Sequence, residues 1–205
     1  MFLMVGTAFL TSSCAMQNSG EQKPIDPETT EFTLTVPDTL DDEWTKWIIG
    51  EWGDFCEPGS QKKRKGKMKA ELGLNGQFLI IQHENEITEE DIESLKGGMQ
   101  ASEDQAAKFQ NQTHKEIEYY TIDPQTGEVI GYLFDSLRCI AVGRGSRQGD
   151  KEVIEWQWMK GGQQVTASIR TTERLSEDKL MMTDKYVAPD GKVLMEGKAE
   201  AIRKK

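Results

Sequence analysis

Beyond residue 50 the apolar side chains mostly recur at every second position, and this constrains the chain more than any other feature. The alternation runs through residues 51–56, 65–74, 77–86, 115–123, 129–135, 140–147, 152–159, 163–172, 179–187 and 192–203. A period of two belongs to a pleated strand that buries one face. Between these stretches lie Asn75-Gly76, Pro124 to Gly127, Gly149-Asp150, Gly161-Gly162 and Pro189 to Gly191, residues that supply a positive φ or a fixed proline torsion. Short turns join sequential antiparallel hairpins. About ten such strands would leave exposed edges unless the sheet closes on itself, so the expected fold is mainly β, an antiparallel up-and-down barrel.

Two stretches depart from that period. Ahead of the first strand, Asp41 or Asp42 can cap a short helix with Trp44, Trp47 and Ile48 on one side, ended by Gly50. Between the third and fourth strands, residues 88–111 carry Ile92, Leu95, Met99, Ala106, Ala107 and Phe109, broken at Gly97-Gly98. That pattern predicts a helical insertion in two pieces.

The first residues describe export. Phe2 to Leu10 is apolar, too short to span a bilayer, and runs into Thr11, Ser12, Ser13 and Cys14. Residues 1–14 therefore read as a signal segment whose Cys14 is a lipidation candidate, although Thr11 stands where a leucine is expected and no basic residue precedes the apolar stretch. Residues 15–38 are rich in Ser, Gly, Gln, Pro, Glu and Thr, the composition of a flexible tether. Residues 39–205 form the barrel domain. The expected location is the periplasm or the outer face of the cell envelope, with the chain held to a membrane through Cys14.

A net charge of −10 repels phosphates and anionic head groups, so nucleic acid is excluded as a partner. The basic run Lys62 to Lys65 with Lys67 and Lys69 reads as a solvated turn and strand edge. Cys56 and Cys139 are an even pair in an oxidising compartment, where a disulfide is chemically permitted and two unbridged thiols are the alternative.

Gly50-Glu51-Trp52 after a short helix, together with Arg203 near the end of the last strand, resembles the opening and closing residues of the lipocalins and the wider calycin superfamily. The resemblance implies a lipocalin-like barrel in which the arginine packs over the tryptophan and closes the floor, a cation–ring attraction of about 0.5–2 kcal/mol. Gly76-Gln77-Phe78, Gly131-Tyr132-Leu133-Phe134-Asp135-Ser136 and Gly143-Arg144-Gly145 bring the chain closer to a bacterial group, the domain of unknown function 1579 family. Membership there implies a barrel with an apolar cavity and no established chemistry.

Within such a barrel Trp156 and Trp158 share one strand face with Ile154, and Tyr132 and Phe134 share another. With Tyr120 and Arg144 they are the candidate ligand-binding residues, because aromatic walls with few polar groups characterise small-molecule pockets. An inward arginine among Arg144, Arg147 and Arg170 could hold a ligand carboxylate; outward, they are solubilising charges, and the outward placement is expected. Asp135 could orient one of them or cap a turn. His83 and His114 lack close spacing or accompanying cysteines, so they read as exposed strand histidines and no metal site is expected. No histidine follows His114, which argues against haem, and no nucleophile elbow, phosphate loop or paired-histidine zinc motif occurs, so no cofactor and no catalytic residues are assigned. The expected function is binding of a small apolar or amphipathic ligand. A closed barrel that acts through its surface is the alternative, and an enzyme using the cavity a third.

Overall fold

The computed structural model describes residues 36–56, 66–89, 92–93, 104, 112–160, 163–188 and 191–205. The chain divides into two units, Met1–Val36 and Pro37–Lys205, and the fold below is that of the second. The signal, Cys14 and nearly all of the tether lie outside the described residues.

One helix, α1 (Glu43–Ile48), precedes ten strands: β1 (Gly50–Cys56), β2 (Gly66–Gly73), β3 (Phe78–Glu86), β4 (Thr113–Ile122), β5 (Val129–Asp135), β6 (Ile140–Gln148), β7 (Lys151–Lys160), β8 (Gln163–Ser176), β9 (Lys179–Val187) and β10 (Val193–Arg203). Each strand pairs antiparallel with its sequence neighbours, and β1 also pairs with β10, so the sheet is a closed ten-stranded barrel compatible with a lipocalin-like fold. The helical insertion expected over residues 88–111 falls almost wholly outside the described residues, and α1 is the only complete helix among them. No helix among the described residues is long and apolar enough to cross a membrane.

α1 forms because Asp42 caps it. The Asp42 carboxylate accepts the Thr45 amide at 3.0 Å and the Thr45 hydroxyl at 2.6 Å, satisfying a donor the first helical turn leaves unpaired. Trp44, Trp47 and Ile48 then bury one face across one end of the barrel, the end with the β2–β3, β4–β5, β6–β7 and β8–β9 turns. Trp47 Nε1 donates to the Ser176 carbonyl at 3.2 Å, and Trp52 Nε1 donates to the Ile48 carbonyl at 2.8 Å. Arg203 lies 4.2 Å from the centre of the Trp52 ring and donates to the carbonyls of Ile49 (2.6 Å), Glu177 (3.1 Å) and Trp47. Gly50 sits beneath this contact with φ +132°, and a Cβ there would come within 2.8 Å of the Arg203 guanidinium.

Alternation places one set of side chains in the lumen. Toward α1 that set is mostly apolar, with Trp52, Leu79, Val129, Ile154, Leu180 and Ala201 each at most 1% exposed, beside the buried Arg147–Glu152 pair. Trp52 and Phe55 are three residues apart yet both buried, because the β1–β10 register shifts between Gly53 and Cys56 and turns the strand by one position. Farther from α1 the lumen changes character.

Candidate functional site

From mid-barrel, at the level of Tyr120 and Arg170, to the end away from α1, ionisable side chains line the lumen. On β4, His114, Glu116, Glu118 and Tyr120 share the inward face, since a strand turns every second residue to the same side. His83 enters from β3, Arg170 from β8, and Asp184 and Tyr186 from β9. Arg170 is the hub. It donates through Nε to Asp184 Oδ1 at 2.8 Å and through one terminal nitrogen to Glu118, while the other stands 3.7 Å from Glu116 Oε1. The opposite oxygen of Glu118 accepts the Tyr120 hydroxyl at 2.6 Å and lies 3.6 Å from His83 Nε2. His114 stands between Glu116 at 3.6 Å and Asp135 at 3.5 Å.

These contacts push two neighbouring carboxyls in opposite directions. Burial alone would raise Glu118, but Arg170, His83 and the Tyr120 hydroxyl outweigh it and hold the group well below the usual carboxylate range. Burial also raises Glu116, where Arg170 is farther away and the Glu118 charge adds to the effect, so its pKa is above the ordinary value. Burial would lower His114, yet Asp135 and Glu116 prevail and raise it. A buried carboxylate pair separated in this way can hold one proton and one charge side by side.

The facing wall is aromatic. The Trp158 and Tyr186 rings lie 6.2 Å apart, and Trp158 Nε1 donates to Ser168 Oγ at 2.8 Å. Trp156 packs edge-on against Tyr120 at 5.8 Å. Its six-membered ring fills the space a Cβ would need at Gly131 (2.6 Å) and Gly143 (2.7 Å), so glycines on β5 and β6 make room for it. That packing turns the Nε1 edge away from β5 and β6, and this fully buried donor has no hydrogen-bond partner among the described residues.

Of the candidate ligand-binding residues, Tyr120, Trp156 and Trp158 therefore point into the lumen. Tyr132 and Phe134 are each 42% exposed on the outer wall, and Arg144 lies outside as well, paired with Glu128 at 2.5 Å. Alternation within β5 explains this, because Gly131 and Leu133 take the inward positions. Arg147 and Arg170, expected outside, are inside. Arg147 donates to Glu152 at 2.6 Å and to Thr45 at 2.9 Å, and tethers Asp42 of α1 at 3.2 Å. His83, expected to be exposed, is buried, and His114 is half-buried. Asp135 caps the β5–β6 turn, accepting the Leu137 and Cys139 amides at 2.8 Å each, while its second oxygen faces His114. Cys56 and Cys139 are not bridged: they lie at the end of β1 and just before β6, strands that are not neighbours in the barrel.

Glu116, Glu118, Asp184 and Tyr186 were not among the candidate residues. The signal for the first two was present, since both are in step with Tyr120 along β4. Arg170 offers a ligand carboxylate little, because three protein carboxylates already surround it. A separate groove of about 360 Å³ lies between Pro37–Leu40 and the β4–β5 hairpin, and none of the candidate ligand-binding residues lines it.

No protein-family model matches the chain, nor does any curated protein. The barrel is thus the part of the lipocalin resemblance that has independent support, and the narrower bacterial family has none.

Proposed function

We propose that this chain is an exported, lipid-anchored lipocalin-like barrel that takes a small amphipathic ligand into the lumen at the end away from α1. The observation that carries this reading is the division of that half of the lumen into two walls. Trp158 and Tyr186 on β7 and β9 offer an apolar surface, and His83, His114 and Glu116 on β3 and β4 face it with hydrogen-bonding and charged groups. A ligand with an apolar body and a polar or cationic head suits that division, since the carboxylates outnumber the single guanidinium. Export and anchoring rest on the apolar residues 2–10 and Cys14 alone.

The test is native mass spectrometry of the full chain from a bacterial host, followed by organic extraction and by titration with an apolar fluorescent probe. A copurified small molecule, or probe uptake that Trp158→Ser abolishes, supports the carrier. Reproducibly empty protein that ignores the probe overturns it. Anchoring is checked by Cys14→Ser, which should move the chain from the membrane fraction to the soluble one.

One observation favours a second reading, a filled barrel that acts through its surface. Arg170 and Glu118 meet across the lumen, and the outer wall carries a continuous apolar patch. Tyr119 pairs with Tyr132, Tyr132 with Val142, and Phe134 with Ile140, and the last four of these side chains are 39–44% exposed. If the lumen proves empty, loss of partner or self-association in Tyr132→Ser/Phe134→Ser would establish this reading.

A further inference from the structure

Three metal-ligating side chains converge in the lumen. One donor atom each from His83, Glu116 and Glu118 lies within 4.8 Å of the other two. His83 is only 5% exposed, and its Nε2 lies 3.6 Å from Glu118 Oε2. Among the described residues, Glu116 has two long contacts, to His114 and Arg170. An imidazole nitrogen and a carboxylate oxygen this close share a positive centre, either a proton on the imidazole or a metal cation.

We propose that His83, Glu116 and Glu118 form a binding site for a divalent transition-metal cation, of which Zn²⁺ or Mn²⁺ fits the donors. Mixed imidazole and carboxylate ligands suit those ions. Bonds of about 2.1 Å in a tetrahedral site place donors about 3.4 Å apart, so donors as much as 4.8 Å apart need to close by up to about 1.4 Å, which χ rotations of the two glutamates can supply. Glu116, Glu118 and Asp184 surround one guanidinium, an excess of acidic groups that suits a cation. Arg170 grips the Oε1 side of Glu118, while the oxygen facing His83 is oriented by the Tyr120 hydroxyl, an arrangement typical of groups that fix a ligand carboxylate from outside. Three protein ligands leave a further coordination position for water or for the polar end of a bound molecule.

The site shares His83 and Glu116 with the polar wall of the carrier reading but does not depend on it, since an ion can bind whether or not an organic ligand does. The test is titration calorimetry of the chelator-treated full chain with Zn²⁺, with His83→Ala and Glu116→Gln as variants and Glu155→Gln on the outer face as control. One saturable site is expected, weakened at least tenfold in either variant and unchanged in the control. No saturable binding, or binding that both variants retain and that thus resides on the thiols, overturns the proposal. Should the variants fail to fold, the wild-type chain decides. It has two histidines, so a zinc-induced ¹⁵N coordination shift of one imidazole, assigned to His83 with His114→Asn, is the expected result. A shift confined to His114, or no shift, refutes the site.

Discussion

Arg170 on β8 meets Glu118 on β4 across the lumen, joining nearly opposite walls of the ring of strands through a buried ion pair. Removing one partner leaves the other charged in a medium that cannot solvate it. Arg170→Met should therefore destabilise the fold by about 3–5 kcal/mol in urea unfolding, because Glu116, Glu118 and Asp184 lose their shared cation. Arg170→Met/Glu118→Leu should recover much of that loss, which distinguishes an unpaired charge from lost packing.

The Arg203–Trp52 contact predicts a different pattern. Arg203→Ala removes the cation–ring attraction and the donors to the Trp47 and Ile49 carbonyls, and should cost about 2–4 kcal/mol in thermal or urea unfolding. Arg203→Lys should restore only a minor part, since an ammonium cannot stack on the ring and reach three carbonyls together.

Asp42 ties acid sensitivity to α1. Burial raises its pKa, but the Thr45 hydroxyl and amide and the Arg147 charge outweigh burial and leave it below 3.8. A carboxyl depressed in the folded state contributes stability that is fully present above the unfolded pKa and is lost as the pH falls from there through the folded pKa. Urea midpoints measured at descending pH should thus fall more steeply for the wild type below about pH 4 than for Asp42→Asn, which keeps a capping oxygen without the charge. Parallel curves would contradict the assignment. Glu152, which shares Arg147, is raised by burial and is present in both proteins.

Gly143 tests the packing of the lumen. A methyl group there would stand 2.7 Å from Trp156 and Ile154, so Gly143→Ala should cost about 1–3 kcal/mol and shift Trp156 fluorescence as the ring is displaced. Gly149→Ala is no substitute control because of its positive φ; Gly197→Ala, with open space around the added carbon, is.

The strands were legible because a one-sided sheet writes its period directly into the sequence, and five of the connections between them carry a glycine turn signal. Closure was expected because ten strands would otherwise leave exposed edges, and the lipocalin resemblance implied that Gly50, Trp52 and Arg203 mark the seam. Which strand face is inside was harder to read where both faces are apolar. On β5, Tyr132 and Phe134 are the larger side chains, yet Gly131 and Leu133 face inward because Trp156 on β7 needs the space a larger residue would fill. The ionic lumen was hidden for a related reason. Charged residues at alternate positions normally mark a solvent face, and only the pairing of β4 against β8 across the barrel turns Glu118 and Arg170 into mutual partners.

The closure of β1 onto β10 sets an order of events in folding. Arg203 and the Ile49 carbonyl it binds are 154 residues apart, so this is among the most distant pairings the chain makes. Until β10 arrives, β1 is an unprotected edge and Trp52 lacks the guanidinium that covers it. Distant pairings of this kind are slow, because the chain orders long before the contact rewards it. The seam is thus the place where the nascent barrel is most exposed to pairing with another chain, and where a chaperone holding the unfinished protein has most to protect.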